Sequence, residues 1–159
     1  MAKSVRQRRH EGKTDYKARL NLLKSGKPRL VVRKTNRYVI AQIVESDVAQ
    51  DKVIVGITSK ALLAKGWPEN LKGSLKCLPA AYLTGLLLGN LAKSKIKELV
   101  LDIGMHRNIQ KSRVYAVVKG VIEAGIHVPH DIAALPSDEQ LKANPKTAEL
   151  LAKLSQSLK

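Results

Sequence analysis

The 159 residues carry 29 lysines and arginines against 13 acids, a formal net charge of +16, with 44% apolar residues, no Phe and a single Cys. That apolar share excludes a chain disordered throughout and suits one domain with a working core. The charge calls for an anionic partner, nucleic acid before membrane. Cys77 has no second cysteine with which to form an intramolecular disulfide, which fits a reducing compartment. No run reaches the roughly 18 apolar residues of a membrane span. The basic N-terminus is not followed by the apolar core of a signal peptide, so a cytoplasmic location is expected.

Residues 1–13, "MAKSVRQRRHEGK", are too polar to stay ordered alone and read as a basic arm that orders on binding. Residues 14–24 then place Tyr16, Leu20 and Leu23 at helical spacing, with Thr14 or Asp15 as cap and Gly26 and Pro28 as the stop. "PRLVVRKTNRYVIAQIVE" predicts a β-hairpin turning around Asn36, and "DKVIVGIT" a third strand after the turn-like "SDVAQD". "SKALLAKGW" predicts a short helix stopped by Gly66 and Pro68. "PAAYLTGLLLGNLA" is apolar nearly all round, so it predicts a buried helix, and Gly85 and Gly89, one turn apart, would let it approach a sheet closely. The segment is too short for the GxxxG pair to be a membrane dimer motif. "KELVLDI" is a fourth strand. Val114, Val117, Val118, Val121 and Ile122 then mark an amphipathic helix, with Ser112 as N-cap and Gly125 as stop. "IHVPHDIAALP" is extended or loop, and the tail from Ser137 holds two short helices separated by Asn144 and Pro145.

The expected fold is α/β: a mixed sheet of about four strands, three antiparallel and the fourth parallel after a helical crossover, with helices packed on it. Three regions follow: a basic arm (1–13), an α/β core (14–130) and a helical C-terminal tail (131–159). The charge is segregated among them. Residues 1–37 hold net +11 and residues 93–119 net +5, while the remainder is close to neutral.

An enzymatic reading finds little to work with. The strand layout suits a ribonuclease-H-like sheet, in which carboxylates on the first and fourth strands hold catalytic metal ions. "RLVVRK" supplies no acid on the first strand, and Asp102 on the fourth stands alone beside Arg107, where a structural ion pair is the expected role. Cys77 precedes a buried helix and reads as packing, despite Lys76 beside it. There is no G-x-S-x-G, no P-loop and no cluster of zinc ligands around the four His. No cofactor and no metal are expected. A ribonuclease-H-like RNA-processing enzyme stays as the alternative.

RNA binding through stacking on a sheet needs aromatics, and this chain has 3%. Backbone charge and shape must carry the binding instead, which points to folded RNA with converging phosphates. The candidate RNA contacts are Lys3, Arg6, Arg8, Arg9, His10 and Lys13 in the arm, then Tyr16, Lys17, Arg19, Lys24 and Lys27. In the hairpin they are Arg29, Arg33, Lys34, Asn36 and Arg37, with Arg29 and Arg33 pointing to one face of the sheet. Tyr16 and Tyr38 could stack on a base, though a half-buried place is expected for both. A third group lies in "GMHRNIQKSR", residues 104–113, between the fourth strand and the following helix. There His106, Arg107, Lys111 and Arg113 surround a helix N-terminus whose unpaired N–H groups favour an anion, and the stretch reads as a phosphate clamp.

"RRHEGKTDYKARLNLLKSGKPRLVVRKTNRYVIAQIV", "LPAAYLTGLLLG" and "LDIGMHRNIQKSRVYAVVKGVIEAGIHVPH" together resemble the family of large-subunit ribosomal protein eighteen in universal naming, the 5S rRNA binders, at archaeal-type length. The resemblance runs in order from about Arg8 to His130. It implies a non-catalytic core of ribonuclease-H-like topology that holds 5S rRNA at the central protuberance of the large subunit and bridges it to the large rRNA. It also implies large-subunit ribosomal protein five as a neighbour, and RNA contacts in the arm and hairpin. The long C-terminal extension of the eukaryotic relatives is not matched here, which leaves the tail without an implied role.

Overall fold

The computed structural model describes residues 7–48 and 50–158. Helix α1 (Gln7–His10) and α2 (Tyr16–Leu23) precede strands β1 (Arg29–Lys34), β2 (Val39–Asp47) and β3 (Gln50–Thr58). Two 3-10 segments (Ser59–Lys65 and Glu69–Ser74) lead to α3 (Leu78–Ala92), β4 (Val100–Asp102) and α4 (Arg113–Glu123). A 3-10 turn (Ile132–Ala134), α5 (Asp138–Lys142) and α6 (Pro145–Leu158) complete the order.

The four strands form one sheet in the order β3-β2-β1-β4. β1 and β2 pair antiparallel through Arg29↔Val44 to Lys34↔Val39, and β2 pairs antiparallel with β3. β4, which follows the helical crossover, pairs parallel with β1. This is the mixed sheet expected from the strand pattern. The hairpin turn is closed at Thr35, whose amide and hydroxyl both donate to the Tyr38 carbonyl. Alternation along β1 sends Leu30 and Val32, both fully buried, to the helical side, and Arg29 and Arg33 to the other.

The helical layer is α3 and α4. Twelve of the fifteen α3 residues are buried, because this helix packs against the sheet on one side, α4 on another and α6 on a third. The glycines serve the helix pair and not the sheet. A Cβ on Gly85 would lie 2.1 Å from the Val117 carbonyl oxygen, and one on Gly120 would lie 2.2 Å from that of Tyr82. The two backbones touch directly at this crossing, corrected from the expected close approach to strands.

Among the described residues of the arm, 7–10 form a helical turn, and the Lys13 and Thr14 amides donate to the Arg8 carbonyl. In α2, Asp15 caps the Lys17 and Ala18 amides as anticipated, but the helix buries no residue and Leu20 stays 54% exposed. The tail, for its part, belongs to the core: Leu141, Leu151 and Leu154 join the main apolar cluster, and Lys119 on α4 pairs with Asp138.

Because two backbones would have to separate, Gly85→Ala is expected to destabilise the protein by about 3 kcal/mol in urea denaturation. Gly73→Ala, which meets nothing within 4 Å, serves as the control and should stay within about 0.5 kcal/mol of the parent.

Candidate nucleic-acid interface

The parallel register places Asp102 opposite Val31, between Arg29 and Arg33 on the same face of the sheet. The consequence is a linked set of ion pairs. The Asp102 Oδ2 accepts from Arg29 Nη1 at 2.8 Å, and Oδ1 accepts from Arg33 Nη2 at 2.9 Å and from the Gly104 amide at 2.9 Å. Arg29 continues to Asp51 at 2.8 Å and to the Ser46 hydroxyl, and Asp51 accepts from Arg19 of α2 at 2.7 Å. One chain of alternating charge, Arg33–Asp102–Arg29–Asp51–Arg19, therefore crosses the sheet and ends on the helix after the arm.

This arrangement corrects two expectations. Asp102 pairs with Arg29 and Arg33, not with Arg107. Arg29, expected to meet a phosphate, is only 2% exposed and has its guanidinium committed to Asp102, Asp51 and Ser46, so it belongs to the fold and not to the surface. β1 carries no acid, and the single acid on β4 is paired with that arginine.

Burial pushes the Asp51 carboxyl up, but hydrogen bonds from Ser46, Arg19 and Arg29 outweigh it and hold the group at about 2, below its ordinary 3.8. His106 is half-buried, and its Nε2 accepts the Lys34 amide at 3.1 Å. Burial first, then the charges of Lys34 and Arg33, push its pKa below the ordinary value, which favours the neutral ring that accepts this bond. The Cys77 thiol is pushed up by burial, which opposes activation and fits a packing role.

The remaining cations of the loop do come together. Lys34, Lys76, Arg107, Lys111 and Arg113 line one cavity of about 510 Å³ at the N-terminus of α4, and no acid lines it. Ser112 occupies the N-cap position, but its side chain makes no capping hydrogen bond, so no hydroxyl occupies the first-turn amides. Lys111 adopts φ 57° while its amide donates to the Ala134 carbonyl, and Arg113 donates to the Lys76 carbonyl. Lys76 was not among the expected contacts. It lies in the turn before α3, and only the packing of α3 on α4 brings it to this cavity.

The other candidates are scattered. Lys3 and Arg6 lie outside the described residues. Arg8, Arg9, His10, Lys13, Lys17, Lys24, Asn36 and Arg37 are exposed, while Tyr16 is half-buried. Lys13 pairs with Glu11 at 2.7 Å and Lys27 with Glu98 at 2.6 Å, both near the surface, where such pairs contribute little. Exposed cations thus flank α2, the hairpin tip and the α4 cavity.

Fold and site together define an α/β domain with a cation-rich surface, in which the sheet acids Asp51 and Asp102 are paired with arginines. Comparison with known proteins agrees. Residues 3–99 match the family described as ribosomal large subunit proteins 60S L5 and 50S L18. The chain is 49% identical over 136 residues to the "Large ribosomal subunit protein uL18" of Korarchaeum cryptofilum, covering 85% of this chain and 68% of that one. It is 47% identical over 152 residues to the protein of the same name from Caldivirga maquilingensis, covering 94% and 71%. With that of Methanococcus maripaludis the identity is 48% over 135 residues, covering 84% and 68%. The chain belongs to this family of large-subunit ribosomal proteins; it is structural, not enzymatic, and associates with ribosomal RNA. No helix among the described residues is long and apolar enough to cross a membrane.

Asp102→Asn removes the charge that compensates buried Arg29 and is expected to cost about 3 kcal/mol, read as a lower urea midpoint with unchanged slope. Asp51 has a depressed folded-state value, so its stabilisation is complete above the unfolded value of 3.8 and is lost as pH falls toward about 2. Thermal midpoints of the parent should therefore drop through that window, and Asp51→Asn should start lower and show a flatter acid limb.

Proposed function

We propose that this chain binds 5S rRNA and anchors it to the large rRNA at the central protuberance, beside large-subunit ribosomal protein five, by neutralising phosphates without turnover. The observation that carries the reading is the acid-free cavity at the N-terminus of α4, where five cations from β1, the turn before α3 and the 104–113 loop converge on amides that no side chain caps. A cluster with this composition suits the crowded phosphates of a folded RNA, since each neutralised phosphate releases counterions and helix N-terminal amides favour an anion. The family resemblance of the 104–113 loop and the hairpin supports 5S rRNA as the species, and the exposed cations of α1, α2 and the hairpin tip supply a second group of phosphate contacts. In this reading the ion-pair chain on the sheet keeps β1, β4 and α2 in fixed relation, so that the two cationic groups face the RNA at a set spacing. A cytoplasmic location within the large subunit follows from the same reading.

Arg107→Ala combined with Lys76→Ala removes two cavity cations whose side chains make no hydrogen bond or ion pair identified among the described residues. Affinity for 5S rRNA, measured by filter binding across a salt series, is expected to fall about tenfold or more, and the salt slope to shrink by about 2, with thermal stability unchanged. Unaltered affinity and slope would remove the clamp from the RNA interface.

A further inference from the structure

The loop that supplies the cationic cavity also walls a second one. Gly104 and Met105 at its start face Ala18, Arg19 and Leu22 of α2 across a cavity of about 530 Å³, open between the arm and the β1–β4 edge. This volume lies within the roughly 300–1,000 Å³ range of sites that take small organic groups. Its chemistry differs from that of the first. Leu22, Leu101, Ile103 and Met105 give it apolar walls, Met105 is 56% exposed although nonpolar, and Asp102 is part of the lining.

Arg33 also lines this cavity, and its guanidinium is immobilised. Nη1 donates to the Val32 and Asp102 carbonyls at 2.9 and 2.8 Å, and Nη2 donates to Asp102 Oδ1 at 2.9 Å. A Cβ added to Gly104 would lie 2.8, 2.9 and 3.1 Å from Cζ, Nη2 and Nε. Such near-equal distances put Gly104 against one flat face of the group. The edge of the guanidinium is thus committed to hydrogen bonds and one face is backed by glycine, while the side chain remains 38% exposed. At the Arg33 guanidinium a phosphate would find three of the five N–H groups already used and, in the same lining, apolar side chains and the two carboxylates Asp15 and Asp102, beside the cations Arg8, Lys13 and Arg19. A planar π-system would find a rigid cationic face flanked by aliphatic side chains, the arrangement on which RNA-binding proteins stack splayed-out bases.

We propose that this cavity receives one unstacked base of the bound RNA, stacked on the Arg33 guanidinium between Leu22 and Met105, with Arg8 and Lys13 at the rim for the adjoining phosphates. The proposal rests on the RNA-binding reading and deepens it: the chain, poor in aromatics, uses a locked arginine where other RNA-binding sheets use a ring. Gly104 is required because any side chain there would displace the guanidinium.

Met105 and Met1 are the two methionines of the sequence, so the Met105 methyl can be followed by selective ¹³C-methyl labelling and assigned with Met105→Leu. On titration with 5S rRNA its resonance is expected to move upfield by ring current. Ala18→Leu, which fills the cavity without changing charge, is expected to lower affinity about tenfold, the loss of one stacked base, while leaving the salt slope unchanged. A complex that forms with parental affinity but leaves the Met105 methyl in place overturns the proposal, as does Ala18→Leu binding like the parent. Should Ala18→Leu shift α2 and lower the thermal midpoint, the methyl titration of the parent still decides. Adenosine, guanosine, cytidine and uridine 5′-monophosphates form a separate arm. A Met105 shift with these at millimolar concentration, and none with RNA, assigns the cavity to a free nucleotide and also overturns the proposal. Absence of any complex between the parent and 5S rRNA, by contrast, removes the RNA-binding reading itself.

Discussion

Asp102 holds Arg29 and Arg33 on either side of it, and the rest of the structure is organised around that contact. It is a buried carboxylate between two guanidiniums on the neighbouring strand, with a third bond from the Gly104 amide. Buried charge is costly unless compensated, and here the geometry of adjacent parallel strands provides compensation on both sides. The contact fixes the β1–β4 pairing, starts the 104–113 loop by tying down Gly104, and reaches α2 through Asp51 and Arg19. Paired with Arg29 and Arg33, the acid of β4 is committed to the fold and does not stand free on the sheet.

The second constraint is the direct backbone contact of α3 with α4 at Gly85 and Gly120. It sets where α4 begins, and so where the first-turn amides and Arg113 stand relative to Lys76 at the turn before α3. α6 and α5 cover the far side of α3, which explains why the C-terminal segment is part of the core and not an appendage. The cationic surface is a consequence of how apolar helices pack, even though none of its residues takes part in that packing.

Much of this was legible in the residues. Strand alternation, the glycine and proline stops, the Asp15 cap and the valine spacing of α4 are local signals, and each element formed where its pattern lies. That Arg107, Lys111 and Arg113 line one cavity was legible because they are close in sequence and free of acids. Arg29, read as a surface cation, is instead buried in the sheet. A cation in a basic stretch looks like a surface group until the strand beside it is known, and the strand that buries it lies some seventy residues away. Lys76 was missed because nothing local distinguishes a lysine in one turn from a lysine in another. Leu20, assigned to an apolar face, remains exposed because α2 meets the sheet through Arg19 instead.

By itself the sequence determined the class of the protein: its segregated charge, its scarcity of aromatics and its lack of paired carboxylates all follow from composition and order. It determined the elements too, since period and capping act over a few residues. Only the tertiary structure decided which charges are spent inside and which remain for a partner. That choice depends on register, on β4 joining β1 in parallel so that Asp102 falls between two arginines, and register is set by packing across the whole sheet.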